Sequence, residues 1–72
     1  MTGEQYRNAI DHLGMTQVGS ARFFDVSAST ARKWIGEKHP IPAAVSMLLT
    51  VMMHYSLTPQ NVIALEDRVA SP

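Results

Sequence analysis

The chain predicts an all-α fold, a compact bundle of about five short helices, and three observations carry that expectation. Apolar residues recur at helical spacing in five segments, each segment is bounded by a capping or helix-breaking residue, and no stretch alternates apolar and polar residues for long. Only short connections remain between the segments. A single domain over residues 1–69 is therefore expected, with 70–72 as a frayed tail.

The first helix is announced by Thr2 and Gln5, a capping-box spacing, and Tyr6, Ala9, Ile10 and Leu13 continue it to about residue 13, where Gly14 ends the run. Thr16 opens a second helix to about Phe24, with Val18, Ala21 and Phe24 expected to face inward. Asp25-Val26-Ser27 then interrupts the pattern. Ser27 opens a third helix through Ile35, with Ala31, Trp34 and Ile35 inward and Gly36 marking its end. In His39-Pro40-Ile41-Pro42 the residue before each proline is pushed out of the helical region, whereas Pro42 itself suits the first turn of a fourth helix. That helix runs to about His54 and gathers Val45, Leu48, Leu49 and Met52 on one face. Thr58-Pro59 repeats the start signal, and Val62, Ile63, Leu65 and Val69 define a fifth helix.

Length and composition exclude several classes of function. Seventy-two residues hold a small core and leave little room for an enzyme's cleft. Without cysteine there is neither a disulfide framework nor a thiolate zinc site, so helix packing or association of copies must supply the stability. His12, His39 and His54 are too dispersed for a metal site, and no metal or other cofactor is expected. Ser27 or Ser29 with Asp25 and His39 lacks an oriented base and an oxyanion hole, which argues against catalysis. No apolar run approaches the roughly 18 residues of a membrane span, and the N-terminus has no basic-then-apolar signal. A soluble, cytoplasmic protein without an evident small-molecule ligand is expected.

Net charge is formally zero, but its distribution is uneven. Residues 15–40 carry Arg22, Arg32, Lys33 and Lys38 against Asp25 and Glu37, while the flanks are acidic through Glu4, Asp11, Glu66 and Asp67. The third helix divides cleanly: Ala31, Trp34 and Ile35 suit a core, and Ala28, Ser29, Arg32 and Lys33 lie toward the other side, as a helix entering a major groove requires. Arg32 and Lys33 can donate to guanine O6 and N7 or to phosphate, Ser29 can donate or accept, and the Ala28 methyl can meet a thymine methyl. Gln17 stands in the first turn of the second helix, where backbone N–H groups and the helix dipole favour a phosphate. The competing reading of the two cations is a solvated helix face.

Thr16-Gln17, Ala21, Val26-Ser27, Trp34 and the segment GEKHPIPAAVSMLL from Gly36 to Leu49 together resemble the Cro/C1-type helix-turn-helix regulators, the XRE family of phages and bacteria, over about residues 5–66. The resemblance implies a lambda repressor-like domain whose motif, about 16–36, reads double-stranded DNA. Position by position it implies Gln17 as a phosphate and groove-edge contact, Ala28, Ser29, Arg32 and Lys33 as groove-facing residues, and Thr30 and Lys38 as backbone contacts. Ser27 at the helix start completes the expected DNA-binding set. Two residues depart from the family pattern. Asp25 stands at a turn position usually held by glycine, and Ser20 replaces a large aliphatic residue, so the packing of the second helix must come from Phe24 and from Val18 or Phe23.

Met53, Tyr55, Val62, Ile63 and Val69 supply more apolar surface than so small a core needs, and a two-fold dimer contact through them is expected. The functional expectation is a dimeric, sequence-specific regulator, most simply an autoregulatory repressor on a palindromic operator. The alternative is a protein-interaction module on the same scaffold, such as an antitoxin or a polymerase-binding adaptor.

Overall fold

In a computed structural model, which describes residues 1–70, five helices follow one another: α1 (Gly3–His12), α2 (Gln17–Phe23), α3 (Ala28–Ile35), α4 (Ala43–His54) and α5 (Pro59–Ala70). No strand occurs among the described residues. Of the tail expected to fray, Ala70 closes α5, and Ser71 and Pro72 lie outside the described residues.

Side chains just ahead of four helices take up backbone N–H groups that the first turn leaves without partners. Thr2 accepts from Gln5 N–H at 3.1 Å while the Gln5 side chain accepts from Thr2 N–H at 2.8 Å, a closed capping box. Thr16 accepts from Gly19 N–H, Ser27 from Thr30 N–H, and Thr58 and Asn61 form a reciprocal pair at the start of α5. Pro42 stands at the cap of α4, one residue before the helix proper, and makes no side-chain hydrogen bond there.

The first four helices end alike. Gly14, Asp25, Glu37 and Ser56 take φ of 78°, 56°, 58° and 54°, and the residue after each donates back to a carbonyl five positions earlier: Met15 to Ile10, Val26 to Ala21, Lys38 to Lys33 and Leu57 to Met52. This is the Schellman ending, in which a left-handed residue turns the chain out of the helix. Asp25 is thus left-handed, a conformation that costs Asp less than most residues but more than glycine. Gly36 does not play the role its type suggests. It keeps φ −79° at the C-cap of α3, and Glu37 takes the left-handed conformation instead.

α1 packs on α2, α3 and α4, and α2 and α3 pack on each other. Tyr6, Ala9, Ile10, Trp34 and Leu49 form the buried centre, joined by Ala21, Ala31 and Met52. The Tyr6 ring meets Trp34 edge-on at 5.6 Å between centroids, and Phe24 lies 6.4 Å from each. Gly3 is buried because the start of α1 runs into the end of α3: a Cβ there would collide with the Ile35 carbonyl and come within 2.8 Å of the Trp34 carbonyl oxygen.

Three inward expectations need correcting or refining. Val18 is 52% exposed, because α2 is short and covered by α1 and α3 on the side that carries Ser20 and Ala21. Phe23 and Phe24 are half-buried, and Phe24 packs against the core cluster. Ser20 is fully buried and polar: Tyr6 donates its hydroxyl hydrogen to Ser20 Oγ at 2.7 Å, and Ser20 donates to the Gln17 carbonyl at 2.8 Å. Burial raises the Tyr6 hydroxyl's pKa above its ordinary value, and the Ser20 hydrogen bond partly opposes that rise. Finally, α5 is held by its first turn alone. Pro59 is buried and Val62 half-buried, and every residue from Ile63 to Val69 is exposed.

Candidate nucleic-acid interface

The connection 24–27 joins α2 to α3, and packing on α1 turns one side of α3 inward. Ala31 and Trp34 are buried and Thr30 and Ile35 half-buried, so the remaining positions form one outward face. Ala28, Ser29, Arg32 and Lys33 are all exposed there. Ser29 has Arg32 and Lys33 three and four residues on, which sets the three side chains beside one another. Ser27 is also exposed, but its hydroxyl is engaged: it caps α3 through Thr30 N–H at 3.0 Å and lies 2.9 Å from the Thr30 hydroxyl. These two residues brace the helix start before they touch anything else.

Lys38 follows α3 through its Schellman ending, is exposed, and borders a cleft with Met1, Gly3, Trp34 and Ile41. In the other three such endings the residues at the two hydrogen-bonded positions are apolar pairs, Met15 with Ile10, Val26 with Ala21 and Leu57 with Met52, as the motif favours. In α3 the pair is Lys38 with Lys33, joined by a 2.8 Å backbone hydrogen bond. Two ammonium groups thus occupy positions where an apolar contact is usual. Arg32 and Lys33 lie in the last turn of α3, where they also complement the negative end of the helix dipole. That effect explains a cation in the turn but not the replacement of an apolar pair by two of them. The pairing could not be read locally, because Gly36 rather than Glu37 looked like the turn residue.

Gln17 is the first residue of α2 and exposed, with its backbone carbonyl taken by Ser20 and its side chain free of intramolecular hydrogen bonds among those the structure shows. Arg22 is exposed in the last turn of α2. The remaining basic side chains, Arg7 and Arg68, lie on α1 and α5.

The residues expected at a dimer contact are not of one kind. Met53 packs against the chain's own core and Val62 is half-buried, whereas Tyr55, Ile63 and Val69 are exposed. Met47, Val51 and Leu65, not selected from the sequence, are exposed as well. An open cleft of about 560 Å³ lies between α1 and α4, lined by Gln5, Asn8, His12, Ser46, Thr50 and Met53 among others. Two of its polar side chains are already engaged, Gln5 in the capping box and Thr50 with the Ser46 carbonyl. Among the described residues no three His, Asp or Glu side chains gather as metal ligands, and no helix is long and apolar enough to cross a membrane.

Compared with protein-family models, curated proteins and solved structures, the chain matches none.

Proposed function

We propose that the chain is a sequence-specific DNA-binding regulator of transcription that works in the cytoplasm as a dimer, most simply a repressor that occludes a promoter and controls its own expression. The observation that carries this reading is the outward face of α3. Ser29, Arg32 and Lys33 stand exposed on one side, Ala31 and Trp34 hold the other, and Lys38 adds a cation where the turn would ordinarily be apolar. In this reading α3 enters the major groove, Ala28, Ser29, Arg32 and Lys33 face base edges, and Gln17, Ser27, Thr30 and Lys38 meet the phosphate backbone. Few cations and a neutral total make one copy a weak binder, so two copies on an inverted repeat fit best.

Replacing Arg32 or Lys33 with alanine is expected to weaken binding to a selected operator by about 1–3 kcal/mol where the side chain makes a bidentate base contact. Lys38→Ala is expected to weaken all sequences alike and to flatten the salt dependence. Fluorescence anisotropy over a salt series distinguishes the two effects. Unchanged affinity in all three variants, each still folded, contradicts this assignment of the face.

Neutral charge and exposed apolar residues on α4 and α5 favour a second reading, a module that binds another protein. Its signature is weak DNA binding without sequence preference.

A further inference from the structure

The first turn of α2 carries Gln17, and apolar packing does not hold it. Gln17 and Val18 are exposed and Gly19 is half-buried, whereas the apolar side chains that seat α2, Ala21 and Phe24, lie in its second half and at its end. Ser20 is the one buried side chain of that turn. It is polar, so hydrogen bonding is what fastens the turn to the core.

Two hydrogen bonds meet on the Ser20 hydroxyl. It donates to the Gln17 carbonyl at 2.8 Å, within the turn, and accepts the Tyr6 hydroxyl hydrogen from α1 at 2.7 Å. Tyr6 is itself fully buried, with the Trp34 ring edge-on at 5.6 Å and Phe24 at 6.4 Å between centroids, so packing fixes the ring on which the bond ends. Trp34 belongs to α3. One tyrosine therefore touches both the start of α2 and the inner side of the helix whose outer side carries Ser29, Arg32 and Lys33. A buried hydroxyl pair adds little net stability over an apolar contact of the same shape, but it fixes direction, which apolar packing does not.

We propose that Tyr6 and Ser20 are positioning residues for Gln17: they hold the first turn of α2 in place relative to α3, so that the Gln17 side-chain amide reaches phosphate while α3 lies in the groove. This rests on the DNA-binding reading above and adds to it two residues that never touch DNA. Because they act through Gln17, removing them weakens binding no more than removing Gln17 does.

The test measures affinity for a selected operator with variants whose circular dichroism shows them folded. Gln17→Ala is expected to weaken binding about two- to tenfold, the worth of one hydrogen bond, and Tyr6→Phe and Ser20→Ala to weaken it by up to the same factor. In the Gln17→Ala background, neither Tyr6→Phe nor Ser20→Ala is expected to have a further effect. A role confined to stability leaves the single variants' affinity unchanged, and a general distortion multiplies the losses; either result overturns the proposal. Should Ser20→Ala fail to fold, Tyr6→Phe decides alone. Amide exchange supplies a readout without DNA. The Gly19 and Ser20 N–H groups, both bonded to Thr16, are expected to exchange faster in Tyr6→Phe while those of Ala31 and Trp34 change little. That local loosening in a chain that selects no DNA would refute the regulator and keep the tether. Operator binding that Tyr6→Phe and Ser20→Ala leave intact would do the reverse.

Discussion

Tyr6 and Ser20 illustrate how one polar pair can sit in the driest part of so small a core. Tyr6 donates to Ser20, and Ser20 donates onward to the Gln17 carbonyl, so both hydroxyls are satisfied while fully buried. Removing one member is not equivalent to removing the other. In Tyr6→Phe, Ser20 keeps its bond to Gln17 and the cost should be about 1 kcal/mol, whereas Ser20→Ala strands a buried tyrosine hydroxyl and should cost about 1–3 kcal/mol. Urea melts of both variants and of the double variant check this; the double should resemble Tyr6→Phe more than the sum. Alkali provides a second check. The folded chain holds the Tyr6 proton more tightly than the unfolded chain, so this group's contribution is intact below the ordinary tyrosine pKa of about 10 and is lost as pH rises through the raised value. Stability should fall above about pH 10, and fall less in Tyr6→Phe. None of this could be read from Ser20 itself. Its partner is fourteen residues away on another helix, and local periodicity shows only that an aliphatic side chain is missing.

Helix boundaries were legible to within about one residue, because Thr2, Thr16, Ser27 and Thr58 act on backbone groups three positions away. The C-terminal endings were less so. Three of the four left-handed residues are not glycine, and at α3 the neighbouring Gly36 drew the assignment away from Glu37. Left-handed backbone costs a non-glycine residue about 1–2 kcal/mol, partly offset by the chain entropy that glycine loses on folding. Glu37→Gly and Ser56→Gly should therefore each stabilise the fold by roughly 0.5–1 kcal/mol, seen as a rise of a few degrees in Tm, with Asp25→Gly gaining less because Asp tolerates this region better. No rise in any of them would mean that the turns carry no such strain. Gly3 was unreadable for a different reason: the collision that forbids a Cβ there involves the end of α3, more than thirty residues further along.

Across the whole molecule, the division of α3 into a core side and an outward side followed from the spacing of Ala31 and Trp34, and both are buried. The exposure of Met47, Val51 and most of α5 did not, since periodicity shows which residues are apolar but not whether another layer exists to cover them. With zero net charge and few cations on α3 and its ending, a single copy would bind DNA weakly, which is why the regulator is proposed to act in pairs. The most direct measurement is selection of bound sequences from a random DNA pool by the wild-type chain. A palindromic consensus with half-sites about one helical turn apart is the predicted result, since recognition helices in such a dimer lie about 34 Å apart. A pool that shows no enrichment after selection would contradict DNA reading by this face.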